Sequence, residues 1–233
     1  MDTESDRFPQ TQWSRLLDRH SSEESRHEAA AALCGDYWKP VYAFIRAQWG
    51  KSDDEAKDLT QAFFAWVLES DLLGRVGREG SRFRTFLKVA LKHFLIDETR
   101  RDRTLKRGGG MQAVRIDEHA LELPDRAGRT PEEMLDAVWR SEILGRAVDA
   151  LGERYRREGK EAQFRVFHDY YWAKGDPPGY RELAARHGVS ESDVSNYLMA
   201  ARRALRDALE RLIAPTVNSA EAAAEEFRAL FGE

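Results

Sequence analysis

The stretch from Ser81 to Gly110, SRFRTFLKVALKHFLIDETRRDRTLKRGGG, constrains this chain more than any other. At helical spacing it carries Phe83, Phe86, Leu87, Ala90, Leu91, Phe94 and Leu95 as one apolar stripe. Arg84, Lys88 and Lys92 stand four apart on another line, which continues to Arg100, Arg103 and Arg107. Residues four apart share a helix face, so the pattern predicts one long helix with a buried face and a cationic face. From Arg75 to Arg107 there are eleven Lys/Arg and four Asp/Glu, a local charge of about +7 in a chain whose formal net charge is −4. Such a helix suits a polyanion, and its aromatics offer a stacking surface for unpaired bases. The same pattern also fits a solvated face on a helical bundle.

Because the net charge is slightly acidic, nucleic-acid binding would have to come from local patches. The lone cysteine, Cys34, excludes a disulfide scaffold and a Cys-rich zinc site, and reads as a small buried hydrophobe. The start, MDTESDRFPQ, lacks a basic segment followed by an apolar core, and no run of about eighteen apolar residues occurs. No signal peptide and no membrane insertion are expected, which points to the cytoplasm.

No strand pattern persists, so the expected fold class is all-α: two small helical domains joined by a linker, the second containing a helix-turn-helix. The first domain spans 1–110. A short helix begins at Trp13, and Ser22 caps a second that runs to Gly35. Asp36 opens a third, with Pro40 in its first turn. Ser52 and Glu55 form a capping box for the next helix, which reaches about Glu69. A glycine-punctuated connection over 72–80 leads to the basic helix. Periodicity fails over 111–130, the linker. The second domain, 131–213, starts at Thr130-Pro131 and breaks at Gly175-Asp176-Pro177-Pro178-Gly179. The tail, 214–233, is expected to pack loosely. Should it form a helix, its Phe227, Leu230 and Phe231 would dock on the second domain or cover the reader helix.

The segment YRELAARHGVSESDVSNYLMAARRALRDAL has helix-turn-helix spacing. Ala184 is small where two helices cross, Gly188 fits a left-handed turn, and Val194 anchors the second helix. Ser190 and Asp193 make a capping box. As a reader helix, it would turn Glu191, Ser192, Ser195, Asn196 and Met199 toward base edges. Arg181, Arg186, Arg202, Arg203 and Arg206 would grip phosphates.

The order of these parts, DLTQAFF, then FRTFLKVALKHFLIDETRR, then a C-terminal helix-turn-helix, resembles bacterial RNA polymerase sigma factors of the small extracytoplasmic-function (ECF) type over most of Ala29 to Leu212. The resemblance implies a factor that binds core RNA polymerase and promoter DNA, by binding and not by catalysis. It places Glu55, Asp58, Leu59, Gln61 and Phe64 on the helix that docks on the polymerase clamp. It makes Arg84, Lys88, Lys92, His93, Arg100 and Arg101 contacts to the minus-ten element, and gives the second domain the minus-thirty-five element. No catalytic residue, cofactor or metal is implied. An anti-sigma factor or a Ser/Thr kinase is the expected kind of controlling partner.

Three departures stand out. Lys57 and Ala62 occupy positions that are usually acidic on the clamp-docking helix. Ser195, Tyr197 and Met199 stand where the reader helix commonly has basic residues. The stretch GKEAQFRVFHDYYWAKGDPPG resembles the family less closely than its flanks. The first departure suggests Thr60 as a phosphosite, since a phosphate adds about −1.5 to −2 charge at pH 7. Two other readings stay open: a stand-alone helix-turn-helix regulator outside polymerase, and a degenerate sigma-like protein-interaction module.

Overall fold

A computed structural model of the chain describes residues 11–18, 20–49, 51–69, 82–107 and 130–232; the side chains of 47–49, 99–107 and 131–132 fall outside that description. The connection over 72–80 and the linker before Thr130 also lie outside the described residues. Among those described, the chain is helical without strands. It divides into two compact units.

The first unit contains α1 (Gln12–Leu17), α2 (Glu23–Trp49), α3 (Asp53–Glu69), α4 (Phe83–Arg107) and the beginning of α5 (Pro131–Arg157). It also takes the chain from Ile213 onward, including a short 3-10 turn (Ala214–Thr216) and α9 (Ala220–Phe231). The second unit runs from Ile143 to Leu212. It holds the rest of α5, then α6 (Glu161–Tyr171), α7 (Tyr180–His187) and most of α8 (Glu191–Ile213). The boundary expected at 130/131 therefore falls inside a helix instead, after Glu142.

Two helices expected on either side of Gly35 are one. The inward stripe of Ala30, Leu33, Tyr37, Val41, Phe44 and Ile45 crosses Gly35 and Pro40 without a phase change. Continuous burial on one face outweighs the local cost of both residues, about 1 kcal/mol for an interior glycine and about 3 kcal/mol for an interior proline. Helix starts follow the capping chemistry. The Glu55 amide donates to Ser52 Oγ at 3.3 Å while the Ser52 amide donates to the Glu55 carboxylate at 3.0 Å. Thr130 and Glu133 repeat the arrangement at the start of α5.

The core of the first unit is aromatic. Phe83 of α4 meets Trp13 of α1 edge-on at 5.3 Å and Tyr37 of α2 edge-on at 4.9 Å. Tyr37 stacks on Trp139 of α5 at 3.8 Å, and Phe94 meets Phe63 of α3 at 5.5 Å. The tail belongs to this unit, not to the second one, and it is not a loose end. Ser219 caps α9 by accepting from the Ala222 amide at 3.1 Å. Helix α9 turns Ala222, Glu226, Phe227 and Leu230 inward. Burying the phenylalanine and the leucine stabilises the docking by about 1.5–3 kcal/mol each. Thr11 Oγ1 adds a buried hydrogen bond to the Val217 carbonyl at 2.5 Å. The second unit packs Leu151, Val166, Phe167, Leu183, Val194, Leu198 and Ala201 into a separate apolar core.

Candidate nucleic-acid interface

Helix α4 buries Phe83, Leu87, Ala90, Leu91, Phe94 and Leu95 of the stripe its spacing predicts, and leaves Phe86 half-buried. The cationic line does not stay on one exposed face. Arg84 is buried, with only 5 % of its surface exposed. Its Nε and Nη2 donate to the two oxygens of Glu226 at 2.5 and 2.9 Å, and its Nη1 donates to Asp136. Lys88 Nζ donates to Asp136 at 2.6 Å. Arg82 pairs with Glu225, and lies 3.5 Å from Glu226. Burial opposes the charge on Arg84, but the hydrogen bonds and fields of Glu226 and Asp136 outweigh it and hold the guanidinium above its ordinary value. Val89, next to Lys88, is exposed, as are Lys92 and His93 about a turn further on. The Arg100 and Arg101 side chains lie outside the described residues.

On α3, Glu55, Asp58 and Gln61 are exposed, Leu59 is half-buried and Phe64 is buried. The Ser52 amide and hydroxyl, with Lys51, hold the Glu55 carboxyl below its usual range. Lys57 donates to Asp53 at 2.6 Å, so its positive charge is balanced on the same helix. Thr60 points the other way. It lies on the inward line with Ala56, Phe63 and Val67, is 0 % exposed, and donates its hydroxyl to the Ala56 carbonyl at 2.6 Å. The spacing of 56, 60, 63 and 67 already carries that signal.

In the second unit, Gly188 ends α7 at φ +66, the left-handed turn its position requires. The Val189 amide closes that turn onto the Ala184 carbonyl at 3.1 Å. Ser190 and Asp193 cap α8 reciprocally, each amide donating to the other's side chain at 3.0 Å. Val194, Leu198 and Ala201 face inward at 0 % exposure. That leaves Glu191, Ser192, Ser195, Asn196, Met199, Arg202 and Arg203 exposed on the remaining surface of α8, with Arg181 exposed on α7. Arg202 Nε donates to the Tyr171 hydroxyl at 2.5 Å, and its guanidinium lies 5.7 Å from the centre of that ring and 6.0 Å from that of Tyr170. Arg186 pairs with Glu182 at 2.6 Å and Arg206 with Glu210 at 3.0 Å. The two tyrosines lie in the stretch that departs most from the family pattern, and nothing in their spacing announces a partner on α8.

The carboxylates that meet the basic helix, Asp136, Glu225 and Glu226, are the participants that sequence reasoning missed. Arg84 and Glu226 are 142 residues apart, and no periodicity connects positions so distant. Among the described residues, no group of three or more His, Cys, Asp or Glu side chains is placed to hold a metal ion. No described helix is long and apolar enough to cross a membrane.

The described residues form two all-helical units, one with a long basic helix and one with a pair of helices joined at a left-handed glycine. The family model for ECF sigma factors matches residues 43–211, and the chain belongs to that family. Its role is accordingly promoter-specific transcription initiation with RNA polymerase. No curated protein and no solved structure matches the chain.

Proposed function

We propose that the first unit docks on core polymerase through the exposed acids of α3 and receives the opened promoter strand on α4, while α8 positions the factor on duplex DNA. The observation that carries this reading is the division of α4: an unbroken apolar stripe inward, and Val89, Lys92 and His93 outward. An exposed apolar side chain beside two cationic or polar ones suits a single strand, whose bases stack while its phosphates seek charge. On α8, Asn196 has the donor and acceptor pair that matches adenine, and Ser192 and Ser195 are short enough to meet base or phosphate. Arg181 and Arg203 are the exposed arginines suited to phosphate, which sets register without reading sequence.

The test is co-purification with core polymerase followed by promoter opening. Binding that is weakened by Asp58→Lys, with strand capture weakened by Lys92→Glu, is the expected result. A chain that does not hold core polymerase but binds duplex DNA would move the assignment to a stand-alone regulator. Binding to polymerase with no promoter affinity would move it to an interaction module.

A charge switch at Thr60 is a finer reading, favoured by Lys57 and Ala62 in place of acids. The fully buried hydroxyl attaches a condition: a kinase reaches it only when α3 lifts from the unit. Thr60→Glu binding polymerase more tightly than Thr60→Ala, with both variants folded by circular dichroism, supports the switch. Equal binding removes it.

A further inference from the structure

Three cations at the start of α4 meet three carboxylates. Arg82, Arg84 and Lys88 come from the helix or the residue before it. Asp136 comes from the first turns of α5, and Glu225 and Glu226 from α9. Among the described residues these six charges balance, three against three. We propose that α9 is an intramolecular latch, whose Glu225 and Glu226 sit where the phosphates of a nucleic-acid strand would bind and must leave before this end of α4 can take one. The proposal rests on the reading of α4 as the strand-binding helix.

The chemistry of the contact favours exchange. Arg84 presents its fork to both oxygens of Glu226, and the same fork matches a phosphate. A buried ion pair is close to break-even, because the attraction is offset by the loss of hydration on both partners. Replacing one oxyanion by another therefore changes little at the arginine itself. The apolar part of the latch comes from Ala222, Phe227 and Leu230, facing inward from a twelve-residue helix, and strand binding must offset their burial. A helix of that length is marginal in water on its own, so an undocked α9 loses its amide protection. Meanwhile Lys92 and His93 remain exposed, one to two turns beyond Lys88. The helix thus has an open end, where a strand can make first contact, and a closed end, where it must displace α9.

The deciding measurement is amide hydrogen exchange on the full chain, alone and bound to core polymerase with a labelled single-stranded oligonucleotide of mixed sequence. Displacement predicts that the amides of 220–231 exchange at least about tenfold faster in the complex. Full protection of α9 in a complex whose α4 amides are slowed by the oligonucleotide overturns the latch and leaves the strand-binding role intact. No effect of oligonucleotide on α4 overturns that role, and the latch with it. A second arm uses fluorescence anisotropy with the same oligonucleotide. Glu225→Gln/Glu226→Gln removes the carboxylates on Arg82 and on the Arg84 fork while Asp136 keeps Lys88, and it should tighten binding about tenfold and steepen the slope of log K against log salt by about 1.4, at roughly 0.7 per phosphate contact on single strands. Glu225→Gln alone changes a half-exposed side chain and should steepen it by about 0.7. Unchanged affinity and slope in folded variants overturn the proposal.

Discussion

The two units treat their arginines in opposite ways. In the first, Arg84 is taken inside and surrounded by carboxylates. In the second, Arg202 stays at the surface and rests on two tyrosines, one of which accepts its hydrogen bond. An arginine matched by carboxylates has its field cancelled locally. An arginine held by tyrosines keeps its full charge while losing much of its conformational freedom. The first arrangement balances a cation inside the unit, and the second orients a cation at the surface. Sequence alone presents both as basic residues on a helix.

The contrast can be broken from either side. Leu198→Ala hollows the apolar core of the second unit and should cost about 3–4 kcal/mol there. Hydrogen exchange over 180–213 would report the loss. The first unit should be indifferent to it, and Cys34 gives the readout. This sole cysteine is buried in the first unit, and burial pushes its thiol up to about 12. Labelling by a thiol reagent at pH 8 therefore follows opening of the first unit only. Next in size, Glu226→Ala leaves the Arg84 charge short of its bidentate partner and should cost about 3 kcal/mol. Cys34 labelling should then accelerate. Replacing the pair together, Arg84→Met with Glu226→Leu, should recover stability to within about 1 kcal/mol of the parent, since two buried charges are removed at once. A double variant as unstable as the single one would show that the ionic cluster does more than balance itself.

Arg203→Ala should leave stability within about 0.5 kcal/mol. Its effect belongs to binding: affinity for duplex DNA falls for every sequence alike, and the salt slope drops by about 0.9. The smallest effect is on pH dependence. Hydrogen bonds from Arg154 and then Lys160 lower the Glu158 carboxyl from 4.5 to about 2. A depressed carboxyl contributes stability that is complete above 4.5 and is lost as the pH falls toward 2. Glu158 pairs at the surface, where solvent screens the charges, so the second unit should lose only a little stability across that window. Glu158→Gln should remove this part of the acid dependence in thermal melts followed by circular dichroism.

Local chemistry was legible, and distant pairing was not. The capping boxes at Ser52 and Ser190, the turn at Gly188 and the inward stripes of α4 and α8 all depend on residues within a few positions of one another. Their physics is contained in a short window. The break expected at Gly35 is absent, because a local breaker carries less weight than the inward stripe that runs past it and past Pro40. Thr60 is a phosphosite candidate by the charges missing at Lys57 and Ala62, yet its own spacing sets it with Ala56 and Phe63 on the inward line. The docking of α9 had no window at all. Its glutamates look like solubilising charge until the arginine they meet is in view. The candidate site is accordingly split: α8 presents the residues its pattern assigns, while α4 exposes Lys92 and His93 and withholds Arg84.

The buried bond between Arg84 and Glu226 also orders events in time. The ribosome makes Arg84 first, then all of the second unit, and only then the residues that complete the first. At about 5–20 residues per second, the 142 residues between the pair take roughly 7–30 s to synthesise. Throughout that interval Arg84 has no Glu226, and the nascent first unit carries a cation it cannot fully bury. The second unit, whose partners are contiguous in the chain, meets no such delay. The unit begun first is therefore finished last, and a chain cut short before α9 would emerge with its basic helix still uncovered.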